Sequence, residues 1–281
     1  MGEPSPPARG GREAVAAPGR SGPSTSALLL LLSLPILGFL LLPSLIIVPM
    51  SLTKGNVIRF PPIWISTHAF WDFLGDDRWI ASTLTSLKVG AFSVVLASVA
   101  GATAAVGLHR AGFAGKSVVL ALIMMPLATP VIVLALADYI FFLRVGLVGT
   151  WVGIGLAHSV IVTPYVFVAT QVSLATLNPA QVRSARSLGA TNVALLRFVY
   201  WPTLRPGILA GIIFAFAISL DEVVIALFLQ GPNATTLPVQ MFTSLEYDPT
   251  PKVAAVACLL LAVALLASLA QLGLSARAGS R

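Results

Sequence analysis

NPAQVRSARSLGATNVALLRFVYWPTLRP, residues 178–206, is the longest polar and basic interval between the apolar runs of this 281-residue chain. It holds Arg183, Arg186, Arg197 and Arg205 and no acidic residue. Asn178-Pro179 reads as a helix start, because Asn caps free N–H groups and Pro suits the first helical position. Val182, Ala185 and Leu188 then recur at helical spacing, while Arg183, Arg186 and Ser187 point elsewhere. Gly189 follows, where a left-handed residue ends a helix. Thr191 or Asn192 can cap a second short helix with Val193, Leu196 and Val199 on one face. Pro202 and Pro206 restrict the return into the next apolar run. The expected result is a helix–Gly–helix elbow lying across one face of a membrane.

The membrane itself follows from composition. Hydrophobic residues make up 57% of the chain and charged residues 10%, with a mean hydropathy of +0.93. A soluble domain carries about 25% charged residues, so this chain lacks the polar surface of a water-soluble globule. Its apolar runs are continuous rather than alternating, which excludes a β-barrel and indicates an all-α polytopic membrane protein. Six spans are expected, at about 27–50, 80–108, 117–142, 150–175, 207–230 and 253–273. Residues 1–26, rich in Pro, Gly, Ser, Ala and Arg, are expected to be a disordered tail. The transmembrane domain would run over 27–275, with a short tail at 276–281. The first run is too long for a signal-peptide core and lacks a small-residue cleavage site, so it reads as an uncleaved span. Pro126 and Pro130 predict a kink within the third span.

The net charge of +7 is not a nucleic-acid signal, because the basic residues flank the apolar runs. Eleven Lys and Arg lie on the side holding both termini and the elbow, five lie on the other side, and Lys88 is within the second span. The positive-inside bias places both termini and the elbow in the cytoplasm. Cys258 stands alone and reads as a small packed residue. There is no GxxxxGK[ST] phosphate loop, no nucleophile–base constellation and no metal-ligand spacing. No catalytic role and no bound cofactor are therefore expected, and the energy for any transport must come from elsewhere.

Within the spans, Asp221 and Glu222 are expected near the middle of the fifth. A central charge costs roughly 2.5–3.5 kcal/mol on insertion scales, so both should face protein or water. They could attract a cationic solute along a pathway, or pair structurally with Lys88 or Arg144. Asp138 is a further pathway candidate. Pro164-Tyr165 could form part of a gate, Tyr165 offering a ring face and a hydroxyl, or mark a kink beside a packed ring. The elbow also has two readings: a docking device, or an amphipathic loop whose arginines bind anionic head groups.

Resemblance adds to this. ARSLGA with Pro202 and LRPGI resembles the EAA loop of permease subunits in binding-protein-dependent ABC importers. That pattern, Glu-Ala-Ala, three residues, Gly, nine residues, Ile, one residue, Leu-Pro, falls on Arg183-Ser184-Ala185, Gly189, Val199 and Trp201-Pro202, with Leu188 beside the Gly. Arg183 replaces the family's Glu, and Trp201 its Leu. FPP at 60–62, GLVGTWVGIGLAH at 146–158, TPYVF at 163–167 and SLDEVVIALFLQGPNATTLPVQMF at 219–242 are similar to polyamine-type permeases. The resemblance implies a type I importer permease of six helices with a cytoplasmic coupling loop at 176–206, in a bacterial inner membrane. It implies an ABC ATPase dimer that binds ATP and Mg, a second permease subunit and an external solute-binding protein as partners. The cargo it implies is a polyamine such as spermidine or putrescine, with ferric iron or phosphonate-type solutes served by related permeases. A secondary transporter driven by an ion gradient is the alternative from another class.

Overall fold

The computed structural model describes residues 23–279 except 56, 59 and 111, with side chains described over 31–266 except 110. The expected N-terminal tail thus lies, through residue 22, outside the described residues. Helices α1 (Pro23–Ser51), α2 (His68–Leu74), α3 (Asp77–Arg110), α4 (Lys116–Ala128) and α5 (Val131–Arg144) form the first half. Helices α6 (Trp151–Ala175), α7 (Pro179–Ser187), α8 (Asn192–Leu195), α9 (Trp201–Asp221), α10 (Val224–Leu229), α11 (Leu237–Tyr247) and α12 (Pro251–Gly279) follow. Among the described residues the extended structure is a single antiparallel bridge, Thr53 to Ile65.

Four stretches are long and apolar enough to cross a membrane: Leu31–Ser51, Asp77–His109, Trp151–Ala175 and Asn192–Asp221. The third expected span is more than kinked. It is broken into α4 and α5, which meet at 104°. Thr129 is extended (φ −91°, ψ 131°) because the ring of Pro130 excludes the helical conformation from the residue before it. Pro126 and Pro164, by contrast, lie inside uninterrupted α4 and α6. Counted as one span, the bent pair makes a fifth, and the described apolar part of α12, Pro251–Leu266, is shorter. Large apolar side chains such as Leu31, Phe39, Val95 and Phe214 stand exposed along the helices, as hydrocarbon solvent permits and water does not.

The interior is a three-helix stack in which α6 packs along both α3 and α9, and α3 also meets α9. Val94 and Ala97 of α3, Val162 and Val166 of α6 and Ala215 of α9 are fully or almost fully buried there. Small residues permit this approach, since lipid gives helices no hydrophobic reason to associate and close packing must supply the attraction. At Gly211 a Cβ would lie 2.8 Å from the Val166 Cα. A second cluster wedges α10 between α5 and α6, with Ile225, Ala226 and Leu229 buried against Ala135, Phe142, Ile154 and Ala157. Elsewhere α1 packs on α12, and α2 on α12.

Candidate functional site: the elbow and the α9–α10 break

The elbow begins as its sequence dictates. The Asn178 side chain accepts the Ala180 N–H at 2.9 Å, with Pro179 opening α7. α7 ends in a Schellman motif: Ala190 N–H donates to Ala185 C=O at 3.0 Å and Gly189 N–H to Arg186 C=O at 2.9 Å. This geometry needs a left-handed residue, and Gly189 has φ +83° with open space around it. Thr191 Oγ1 then accepts the Ala194 N–H at 3.2 Å and starts the second arm.

That second arm is not a separate short helix. α8 runs through a π-helical turn, Leu196–Tyr200, directly into α9, so the elbow's far arm is the first part of a membrane helix. Pro202 and Pro206 sit within this continuous structure. Pro202 lacks an N–H, and the wider turn, in which Trp201 N–H reaches back to Leu196 C=O, absorbs the defect. The π turn also changes which apolar stripe is buried. Leu195, Tyr200 and Leu204 pack with Leu108, Phe167 and Leu174, whereas Val193 and Leu196 face outward. The face expected from a 3.6-residue period, Val193, Leu196 and Val199, is therefore not the one that packs, because the π turn breaks that period.

On α7, Val182 is buried and Ala185 half-buried, fixing the helix to the ends of α3 and α6. Leu188 leaves that face because α7 has already ended, and it is 89% exposed. Arg183, Ser184 and Arg186 are exposed, and no ion pair engages either arginine among the described residues. Arg183 lines a groove of ≈ 220 Å³ with His109, Leu177, Pro179, Val182 and Tyr200. Val199 is half-buried in the π turn and Pro202 exposed.

The two acidic residues of the fifth apolar run do not lie mid-helix. α9 ends at Asp221, and Glu222 is extended (φ −75°, ψ 117°) in a break before α10. The Glu222 carboxylate folds forward and closes the first turn of α10. Its Oε1 accepts Val224 N–H at 3.0 Å, and its Oε2 accepts Ile225 N–H at 2.9 Å and Ala226 N–H at 3.3 Å. A negative side chain at this end also opposes the positive pole of the helix. Asp221 is different. It is exposed, has no ion pair among the described residues, and borders a shallow, open cavity of ≈ 360 Å³ with Ile218, Glu222, Val223 and Val224.

Behind the break stands a fully buried histidine. His158 of α6 places Nδ1 2.9 Å from Ser219 Oγ of α9, and Ser219 lies 3.1 Å from Ser93 Oγ of α3. On its other edge, His158 Nε2 is 3.6 Å from Glu222 Oε2 and makes no hydrogen bond. Asp138, half-buried on α5, is within electrostatic range of the same imidazole.

Residues 97–279 match the family described as "Binding-protein-dependent transport system inner membrane component". The chain belongs to this family. It is 30% identical over 233 residues to the spermidine/putrescine transport system permease protein PotC of Haemophilus influenzae, covering 82% of this chain and 89% of the relative. The putrescine transport system permease protein PotI of Escherichia coli is 32% identical over 230 residues, covering 79% and 82%. In three dimensions the chain resembles a subunit of a bacterial ABC transporter involved in the import of the acidic polysaccharide alginate, with a TM-score of 0.65 and 16% identity over 91% of this chain and 99% of that one. That likeness establishes the permease fold.

Within this inner-membrane component, the structure separates the residues singled out in the sequence. Asp221 borders a cavity, Glu222 is committed to α10, and Asp138 lies toward His158. Tyr165 is half-buried on uninterrupted α6 and does not line the Asp221 cavity. Neither Lys88 nor Arg144 pairs with a carboxylate of the break among the described residues. Lys88 instead lines a cavity of ≈ 380 Å³ with Arg78, Ser82, Thr85, Asn233 and Gln240. Sequence reasoning passed over Ser93, His158 and Ser219. A lone polar residue in an apolar run carries a signal, but the chain separation between α3, α6 and α9 hid the fact that the three meet.

Proposed function

We propose that this chain forms half of the translocation pathway of an ATP-driven importer and that its cargo is a small cation of the polyamine class. The observation that carries this reading is Asp221, an exposed carboxylate at the end of a membrane helix that borders a shallow, open cavity and has no ion pair among the described residues. The polyamine-transport names of the PotC and PotI relatives support the same cargo. The chain itself binds no nucleotide. A separate ABC ATPase dimer supplies the energy, docking on the elbow through Arg183, Ser184, Ala185, Leu188 and Gly189, with Val199 and Pro202 bracing the far arm. A second permease completes the passage, and an external solute-binding protein delivers the cargo. Both termini and the elbow face the cytoplasm. An 89% exposed leucine beside two arginines that have no ion pair among the described residues suits a protein groove better than a lipid head-group layer.

The test is uptake by the complete importer in vesicles over a panel of polyamines, ferric chelates and phosphonates. Asp221→Asn should raise the KM for a polyamine about tenfold or more, equivalent to at least ~1.4 kcal/mol of lost attraction. Unchanged uptake removes Asp221 from the passage. The basic cavity of Lys88 and Arg78 favours the phosphonate-type alternative, and a preference for anions in the panel would establish it. Uptake by this chain alone, driven by an ion gradient and indifferent to ATP, would overturn the importer reading.

A further inference from the structure

His158 is fully buried, yet one of its two ring nitrogens has no hydrogen-bond partner among the described residues. An orphaned buried polar atom calls for an explanation, and the proton accounting around the ring supplies one. Each serine hydroxyl has one hydrogen to give. If Ser93 gives its hydrogen to Gly90 C=O, 3.0 Å away, Ser219 must donate to Ser93. His158 Nδ1–H would then donate to Ser219, leaving a bare Nε2 lone pair facing the Glu222 carboxylate. The other direction removes that repulsion, although 3.6 Å is too long for a hydrogen bond. Ser93 donates to Ser219, Ser219 donates to His158 Nδ1, and the remaining hydrogen sits on Nε2, aimed at Glu222 Oε2 3.6 Å away.

We infer that His158 is a positioning residue that acts through Glu222 to hold the α9–α10 break and so aim Asp221 at the passage. The chain of donors runs from α3 through α9 to His158 of α6, and an electrostatic contact of 3.6 Å carries it on to the carboxylate that caps α10. It joins the three-helix stack to the short helix that follows Asp221. Glu222 is the shared member. Its oxygens accept three α10 N–H groups and meet the imidazole edge, so a displaced Glu222 would release the turn that sets the direction of its neighbour. The inference rests on the pathway reading of Asp221.

Two substitutions divide the histidine's contacts. The amide nitrogen of His158→Gln reaches about as far as Nε2, while that of His158→Asn reaches only as far as Nδ1. In the complete importer reconstituted in vesicles, with spermidine as the probe, His158→Gln should keep its KM within about threefold of the native value, whereas His158→Asn should raise KM about tenfold with Vmax and complex assembly maintained. Equal effects, the reverse order, or failure of either variant to assemble would make His158 a packing residue and overturn the inference. Asp221→Asn is run alongside. If it raises KM while the two His158 variants match each other, the positioning role alone falls; if it is silent, the pathway reading falls and the inference with it.

Discussion

Replacing Gly189 tests whether the elbow transmits force, because nothing but backbone conformation is at stake there. A Cβ at this position meets no heavy atom within 4 Å, so a side chain causes no clash. The φ of +83° is what excludes it. An L-residue forced into the left-handed region costs roughly 1–2 kcal/mol, with β-branched residues worse and Asn favoured among the non-glycines. A cost of ~1.4 kcal/mol shifts the population of the Schellman turn about tenfold. Loss of the turn frees Ala185 C=O and Arg186 C=O and lets α7 swing away from the start of the α8–α9 helix. Gly189→Asn, Gly189→Ala and Gly189→Val should therefore form a graded series. The assay is the ratio of solute imported to ATP hydrolysed by the complete importer in vesicles, with membrane abundance measured in parallel. Asn should stay near the native ratio, Ala should lose part of it, and Val should hydrolyse ATP with little uptake at normal abundance. A valine variant with native coupling, or an asparagine variant as poor as valine, would refute the reasoning.

Two further predictions concern stability. Lys252 Nζ at the start of α12 donates to Asp76 Oδ2 at 2.7 Å, and Arg78 N–H donates to Asp76 Oδ1 at 3.0 Å, tying the α2–α3 junction to α12. Burial raises the Asp76 pKa, but the hydrogen bonds and charges of Lys252 and Arg78 together outweigh it and hold the carboxyl below its ordinary value of 3.8. A carboxyl depressed in the folded state stabilises above its unfolded pKa and loses that contribution as pH falls through the folded value. The thermal-stability gap between the native protein and Asp76→Asn in detergent should thus be constant above ~pH 5 and close below ~pH 4; a gap that widens in acid would contradict the assignment. Gly211→Ala drives a Cβ to 2.8 Å from the Val166 Cα and should cost about 1–3 kcal/mol by forcing α6 and α9 apart. Gly107→Ala in α3, with nothing within 4 Å, should stabilise by about 0.5–1 kcal/mol. Melting temperatures that move the same way in both variants would show that the α6–α9 approach is not the reason for Gly211.

The helical membrane class and the caps and turn of the elbow were determined by sequence alone, because they rest on local chemistry. A run of apolar residues must satisfy its own backbone in lipid and so becomes a helix. Asn178-Pro179, Gly189 and Thr191 act on hydrogen bonds within a few residues of themselves, and the caps and the left-handed turn stand where those residues predict. What lay beyond the sequence were the choices settled by distant partners. Prolines could announce a disturbance at 126–130 without saying that α4 and α5 would meet at 104°. Apolar spacing pointed to the stripe of Val193, Leu196 and Val199 on the helix after Thr191, but packing against α3 and α6 buried Leu195 and Tyr200 instead. Asp221 and Glu222 are adjacent and chemically alike. Only the tertiary structure divides them, because a break in the helix turns one carboxylate inward onto α10 and His158 and leaves the other at the cavity. Burial and partnership are properties of the surroundings, and for Glu222 those include His158 of α6, a residue far away in the chain.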